Sequence, residues 1–228
     1  MLPSLSAPEF TTTIPSSGKK IKFRPFLVKE EKILYFALES GETEDMVSAI
    51  KNIFENCILS EFDVNNLAYF DFEYLFLMLR AKSVGETIDL KLKHDKDGCE
   101  HVNDISINIE DIKVHREPNH TDKIMLNDDI GVKMKYPTIE SLGVLNDENT
   151  FDIIRDSIDY VYDQENVYDD FSKQDADNFL ESLSKNQFEL ISDFFATMPK
   201  LRHEVKYKCK ACKKTETVVL EGLQSFFM

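Results

Sequence analysis

The sequence predicts an α+β protein in which helices and strands occupy separate stretches of the chain. Apolar residues recur at helical spacing between residues 28 and 85, and the pattern changes to strict alternation from residue 86. Helical spacing returns after Pro137, and two alternating runs follow near the end. Helices and strands that are segregated in this way favour an α+β rather than an α/β architecture.

The first part of the chain predicts an arm, a hairpin and a small helical bundle. Residues 1–18 contain three prolines and are expected to form an extended N-terminal arm. The runs TTTIP and IKFRPF flank the Gly-containing segment SSGKK, which is typical of a hairpin. Residues 19–85 are predicted to form a helical domain of three antiparallel helices. Their sequences are VKEEKILYFALES, TEDMVSAIKNIFENC and FDFEYLFLMLRAKSVG.

The middle of the chain predicts strands. In ETIDLKLKH and CEHVNDISINI, apolar residues alternate with polar ones on either side of a DKDG turn. Short strand candidates continue at IKVH, KIML and GVKMKYP. We expect residues 86–137, together with the C-terminal hairpin in residues 200–228, to form one small antiparallel β domain.

Residues 138–199 predict an acidic helical region. NTFDIIRDSIDYVYD has an amphipathic pattern that predicts a helix through Val161, and SKQDADNFLESLSKNQFELISDFFATMPK predicts two helices or one bent near Ser184–Asn186. Residues 146–196 contain 14 acidic and 3 basic residues. This charge is typical of a solvated outer helix face, and it would also suit a docking face for a basic partner.

Composition limits the possible functions and compartments. The 228 residues are 42% hydrophobic and 30% charged, which is typical of a globular protein that buries its own core. The net charge of −15 argues against a general polyanion binder. The sequence has neither an apolar run of bilayer-spanning length nor a secretory signal pattern, so we expect a reducing cytoplasm without membrane association. Cysteines there are usually thiols or metal ligands.

The segment CKAC places Cys209 and Cys212 in the bend between two strand-like runs. A Cys-x-x-Cys loop can supply two thiolates to one tetrahedral zinc ion. The hairpin IDLKLKHDKDGCEHVNDISINIEDI has the same strand–turn–strand plan and offers His94 and Cys99 at its turn. The sequence therefore predicts a structural Zn²⁺ site of the Cys₃His type, formed by His94, Cys99, Cys209 and Cys212.

A solvated turn with free thiols is the alternative that stays open for CKAC. A thioredoxin-like redox motif needs a strand-to-helix junction, which this bend lacks, and a disulfide is disfavoured in a reducing compartment. Cys57 is predicted to be a buried apolar thiol. His115, His120 and His203 are predicted to be ordinary surface or strand histidines.

The sequence shows no motif for catalysis. It contains no Gly-rich phosphate loop, no GxSxG, no HExxH and no EF-hand spacing, so we expect a protein that is not an enzyme. A different function is suggested by the basic CKACKK hairpin, which resembles the tip of a zinc ribbon that binds nucleic acid. The acidic remainder of the chain would repel phosphates, so nucleic acid is the less favoured partner.

Four blocks of the sequence resemble a known family: MLPSLSAPEFTTTIPSSGKKIKFRPFLVKEEKILYFALES, FDFEYLFLMLRAKSVGE, MKYP and VVLEGLQSFF. They are similar to the baseplate hub family of T-even-like contractile-tailed bacteriophages. The resemblance implies a non-enzymatic role in virion assembly, either as a hub subunit, and so a virion component, or as a factor needed to assemble the hub. Expected partners are other tail and baseplate hub proteins and the tape-measure protein. The expected location is the tail baseplate of the virion, or the host cytoplasm during assembly.

Overall fold

The computed structural model describes residues 6–96, 98–139 and 150–226, and within them the protein has the predicted α+β fold. Residues 1–5 of the predicted arm, residues 146–149 of the acidic stretch and the last two residues lie outside this description. The helices are α1 (Val28–Ser40), α2 (Thr43–Cys57), α3 (Tyr69–Ser83), α4 (Thr150–Asp156), α5 (Lys173–Glu181) and α6 (Lys185–Thr197).

The strands are β1 (Phe10–Thr13), β2 (Lys20–Phe23), β3 (Thr87–Lys96), β4 (Cys99–Asn108), β5 (Lys113–His115), β6 (Lys123–Met125), β7 (Gly131–Met134), β8 (Ile158–Tyr162), β9 (Val167–Tyr168), β10 (Lys200–Lys208) and β11 (Thr215–Glu221). They form small antiparallel sheets with the orders β1-β2, β3-β4, β11-β10-β5 and β6-β7-β8-β9. The chain divides into two compact units. The first contains the described residues of 1–64, 70–115 and 200–228, and the second contains those of 65–69 and 116–199.

The core of the first unit joins α3 to two long hairpins. β10 pairs with both β11 and β5, which connects the C-terminal hairpin to the middle of the chain. Leu77 of α3 packs with Ile88 of β3 and Leu201 of β10 in one buried cluster, and Phe226 is 1% exposed in the same cluster. The hairpins β3–β4 and β10–β11 therefore share a core although they belong to different sheets.

The N-terminal hairpin begins earlier than the predicted end of the arm. Phe10–Thr13 pairs with Lys20–Phe23, and the rings of Phe10 and Phe23 are 6.0 Å apart. Strand β2 buries Ile21 and Phe23 on one face, so the hairpin has an apolar side that packs on the unit. The described part of the predicted arm therefore includes β1, which is a strand because it pairs with β2.

In the second unit, one predicted helix is wrong beyond Asp156. Ile158–Tyr162 is strand β8, which pairs with β7, because its β-branched and aromatic residues suit a sheet and Ile158 is buried opposite Met134. The two following helices are α5 and α6, and the predicted break lies between them. Ser172 and Ser184 accept hydrogen bonds from the third residue of each helix, as N-caps do.

Within the described residues, no helix is both long and apolar enough to cross a membrane.

Candidate metal centre

The turns of the two long hairpins bring all four predicted ligands together. His94 lies near the end of β3, and Cys99 is the first residue of β4. Cys209 directly follows β10, and Cys212 lies in the turn before β11. The ligand atoms of these four residues all lie within 4.8 Å of one another. Each hairpin thus contributes two side chains to one cluster.

The distances in this cluster suit a tetrahedral ion. The sulfurs of Cys99 and Cys209 are 3.8 Å apart, and Cys212 Sγ lies 3.7 Å from His94 Nδ1. Two sulfurs bound to zinc at about 2.3 Å each and at the tetrahedral angle are separated by about 3.8 Å. All four cysteines of the chain are free thiols. The arrangement is therefore compatible with a structural metal site.

Local backbone geometry forms the Cys209–Cys212 turn. Lys213 N–H donates to the carbonyl of Cys209 at 3.0 Å, and Cys209 N–H donates to the carbonyl of Lys214 at 2.9 Å. Lys213 has a φ of 63°, a left-handed conformation that is uncommon for residues other than glycine. The opposing turn uses Gly98 for the same purpose, with a φ of 74°.

The turn also prepares Cys209 to ionise. Its burial disfavours the thiolate, but the backbone N–H groups of Cys212 and Ala211 and the Asn103 amide donate to its sulfur. Together they bring the pKa of Cys209 to about 6. The backbone N–H of His101 stabilises the Cys99 thiolate, yet burial and the neighbouring sulfurs of Cys209 and Cys212 leave the pKa of Cys99 raised. One thiolate thus forms readily, and a bound cation would favour the others.

A carboxylate orients the histidine. His94 is 2% exposed, and its Nε2 lies 3.3 Å from Glu216 Oε2, so Nδ1 is directed at the sulfurs. Lys96 forms an ion pair with Glu216, and the hydroxyl of Tyr207 donates to the same carboxylate at 3.2 Å. The hydrogen bond from Lys96 is the main reason that the pKa of Glu216 is lowered. Histidine ligands of metals commonly have such a partner.

The buried amide of Asn103 links the two hairpins beside the sulfurs. Its Oδ1 accepts from the backbone N–H of Lys210 at 2.9 Å, and its Nδ2 lies 3.7 Å from Cys209 Sγ. Sequence reasoning missed both Asn103 and Glu216. The sequence pattern could have indicated both, because each is a polar residue in phase with the apolar, inward-facing residues of its strand. Each strand also belongs to a hairpin that contains two of the predicted ligands.

The remaining cysteine, Cys57, and one histidine, His120, are both buried. Cys57 is fully buried beside Phe23 and Ile53, and this burial raises the pKa of its thiol to about 11, which confirms the predicted buried thiol. His120 differs from its prediction. It is 8% exposed, and its ring nitrogens lie 3.0 Å from Thr197 Oγ1 and from the Tyr136 hydroxyl.

Comparison with known protein families decides the broader identity. A family model described as T4 bacteriophage base plate protein matches residues 7–228. The chain belongs to this family. Searches of curated proteins and of solved structures found no match. This baseplate protein is therefore a structural protein of the phage tail, and its family indicates contacts with other baseplate proteins and a non-enzymatic role.

The chemistry of the four-residue cluster agrees with a structural role in a baseplate protein. Catalytic zinc sites keep one position open for water or substrate, whereas structural sites use four protein ligands. The three thiols and one imidazole of this cluster are enough to fill the four positions of a structural site. A bound ion would join the two hairpins instead of presenting a reactive water.

Proposed function

We propose that this baseplate protein is a non-enzymatic subunit or assembly factor of the baseplate hub. Its action is through protein–protein surfaces, and a structural zinc ion holds its two long hairpins together. The proposed role in the baseplate rests on the family match over residues 7–228. The proposed zinc site rests on the close approach of four side chains, those of His94, Cys99, Cys209 and Cys212.

Charge balance supports zinc at this place. Three thiolates and a neutral imidazole around Zn²⁺ have a net charge of −1. Exposed lysines lie along the turn next to the sulfurs and would offset that charge. They are Lys208, Lys210, Lys213 and Lys214. Thiolate-rich ligand sets favour zinc over Mg²⁺ or Ca²⁺, which prefer oxygen ligands.

Metal analysis of the purified protein tests the zinc proposal. We expect one zinc per chain in the parent protein and almost none in Cys209→Ser or Cys212→Ser. Cys57→Ser is the matched control, because it removes a thiol that lies in a different cluster. Zinc-free parent protein that still folds and melts cooperatively would contradict the proposal and favour a hairpin turn with free thiols.

Partner identification tests the hub proposal separately. A tagged chain expressed during phage infection should co-purify with other baseplate hub proteins and the tape-measure protein. We place it in the host cytoplasm while the hub assembles and in the tail baseplate afterwards. Co-purification with only peripheral baseplate or tail-sheath proteins would contradict the hub assignment and leave the baseplate family membership intact.

A second candidate function rests on the same lysines. The exposed side chains of Lys208, Lys210, Lys213 and Lys214 form a basic turn that could contact phosphates. Binding to DNA or RNA that weakens steeply with salt, and that is lost on substituting two of these lysines by glutamate, would favour a zinc-ribbon nucleic-acid accessory protein. The net charge of −15 favours the hub function instead.

A further inference from the structure

Helix α1 exposes an apolar surface. Val28, Tyr35, Phe36 and Leu38 are 67%, 58%, 66% and 59% exposed, whereas only Glu30 and Ala37 of this helix are buried. Large apolar side chains that are clustered and exposed usually mark a contact with another molecule. The adjoining Leu27 and Val84 are also exposed and extend the surface beyond the helix.

Two of the exposed apolar residues, Val28 and Tyr35, share a helical stripe with two residues of opposite charge. Residues 28, 32, 35 and 39 have the spacing of four, three and four that places side chains on one face of a helix. Lys32 lies one turn before Tyr35, and Glu39 lies one turn after it. Both are exposed, and neither forms an ion pair with any residue in the described part of the chain.

We propose that α1 is a self-association surface, on which a second copy of this chain packs its own α1 in antiparallel orientation about a two-fold axis. With the axis between residues 35 and 36, Lys32 of each copy faces Glu39 of the other. Tyr35 of each copy then faces Phe36 of the other. A two-fold interface repeats every contact, so one register gives two ion pairs flanking an aromatic centre.

The charge pattern identifies a second copy as the occupant. An antiparallel two-fold pair brings together residues at equal distances on either side of the axis, so charged residues at such positions are required to have opposite signs if they are to attract. Lys32 and Glu39 satisfy this requirement, since each lies between three and four residues from the midpoint of 35 and 36. The surface consists mainly of one 13-residue helix, so we expect a dissociation constant on the order of micromolar.

Grooves beside α1 provide room for side chains of the partner helix. One groove, of about 360 Å³, lies between α1 and α2 and is lined by Ile33, Phe36, Ala37 and Ala49 among others. A side chain reaching past Phe36 would enter it. Aromatic residues that fill such grooves commonly carry most of the binding energy of a small interface.

Sedimentation velocity of the purified full-length chain tests the inference. The parent protein should convert from monomer to dimer between about 1 µM and about 200 µM. Lys32→Glu and Glu39→Lys each place like charges across the axis twice and should raise the dissociation constant at least about tenfold. Lys20→Glu, on the exposed side of β2, is the control and should leave the dimer unchanged.

Recombining the charges makes the test specific. The double variant Lys32→Glu/Glu39→Lys should dimerise again, because each pair is restored with its signs reversed. An equimolar mixture of the two single variants should form a heterodimer, since one carries two acids and the other two bases. A monomeric parent protein across the whole range would overturn the proposal and assign the face to a different chain. A dimer that neither reversal weakens, or that the double variant fails to restore, would overturn it as well.

Discussion

The candidate metal centre, called the metal centre below, and helix α1 depart from ordinary burial in opposite directions, although both belong to the first unit. The metal centre buries polar groups: His94 and Asn103 are 2% and 1% exposed. Helix α1 exposes apolar groups, including Tyr35 and Phe36. Polar groups are costly to bury without partners, and large apolar groups gain nothing from facing water. The unusual burial in each region therefore indicates that the region binds an additional partner.

The two regions differ in how many of the contacts that they need are made within the single chain. Around the metal centre, the side chains already contact one another, and Glu216, Lys96 and Tyr207 orient the histidine. On α1, the outward residues have no such arrangement around them. A small ion can complete the first region, whereas the second needs the surface of another protein. Stability should thus depend strongly on the first region and weakly on the exposed part of the second.

Removal of one metal ligand should have the largest effect on stability. Cys212→Ser takes away one of four ligands and leaves the remaining thiols clustered in a half-buried turn. We expect the Tm to fall by about 5–10 °C, because metal binding energy contributes directly to folding. Differential scanning calorimetry with and without a chelator would measure this change.

The chelator supplies the control within that experiment. It should lower the Tm of the parent protein towards that of Cys212→Ser and leave the variant unchanged. Cys57→Ser should melt earlier through the loss of core packing, and the chelator should still lower its Tm. Equal melting of the parent protein in chelator and in zinc would contradict the stabilising role of a metal.

The buried anchor of α1 should give the next largest effect. Glu30 is 1% exposed, and it accepts from Arg24 at 2.9 Å and from the backbone N–H of Leu27 at 2.8 Å. Glu30→Ala should lower the free energy of unfolding by about 1–3 kcal/mol, because both donors lose their acceptor. Urea unfolding would measure it, with Glu31→Ala on the exposed side as the control.

The effect of Glu30 should depend on pH in a defined direction. Burial opposes its ionisation, but the bonds from Arg24 and Leu27 outweigh burial and lower the pKa of Glu30 below the ordinary value of 4.5. A carboxyl with a lowered pKa in the folded state stabilises fully above its unfolded pKa and loses this contribution as pH falls through the folded pKa. The difference between the parent protein and Glu30→Ala should shrink below pH 4.5. A constant difference would contradict the ionic role of Glu30.

Glu216 should affect the metal more than the fold. Glu216→Gln keeps a polar side chain near His94 but removes the charge that orients the ring, so zinc affinity should fall about 10- to 100-fold. Competition with a chromophoric chelator would measure the affinity. Glu221→Gln, in the same strand but near the other end, should leave it unchanged. Unchanged zinc affinity in Glu216→Gln would mean that this carboxylate does not orient His94 and only forms the ion pair with Lys96.

Part of the clustering of the four predicted ligands follows from sequence, because hairpin turns keep neighbouring residues near one another. His94 and Cys99 flank one short turn, and Cys209 and Cys212 lie in another, so each pair is local. The meeting of the two turns depends on a shared core around Leu77 and Ile88, which a local pattern cannot show. The repeated strand–turn–strand pattern suggested that the two turns lie close together, but it did not require this.

Other features escaped prediction because tertiary contacts decide them. The run IDYVY fits a helical period through Ile158, yet pairing with β7 makes it a strand. His120 looked isolated in sequence because Thr197 and Tyr136 are distant along the chain. The exposure of α1 was equally hidden: its apolar residues predicted a helix, and nothing in their spacing distinguished a buried face from an outward one.

The smallest effect should come from the outward aromatic residues of α1. Phe36 is 66% exposed, so Phe36→Ser should change the free energy of unfolding of the dilute monomer by no more than about 0.5 kcal/mol. Phe54 is fully buried against Phe72, and Phe54→Ala should cost about 3–5 kcal/mol. Urea unfolding at submicromolar concentration compares the two.

A large loss for Phe36→Ser under those conditions would mean that the aromatic face stabilises the single chain itself. The contrast with the metal centre would then be wrong, because α1 would also be stabilised by contacts within its own chain. A loss that appears only at high protein concentration has a different meaning. Since a partner that binds the folded chain stabilises it by mass action, such a concentration dependence ties the outward face to association.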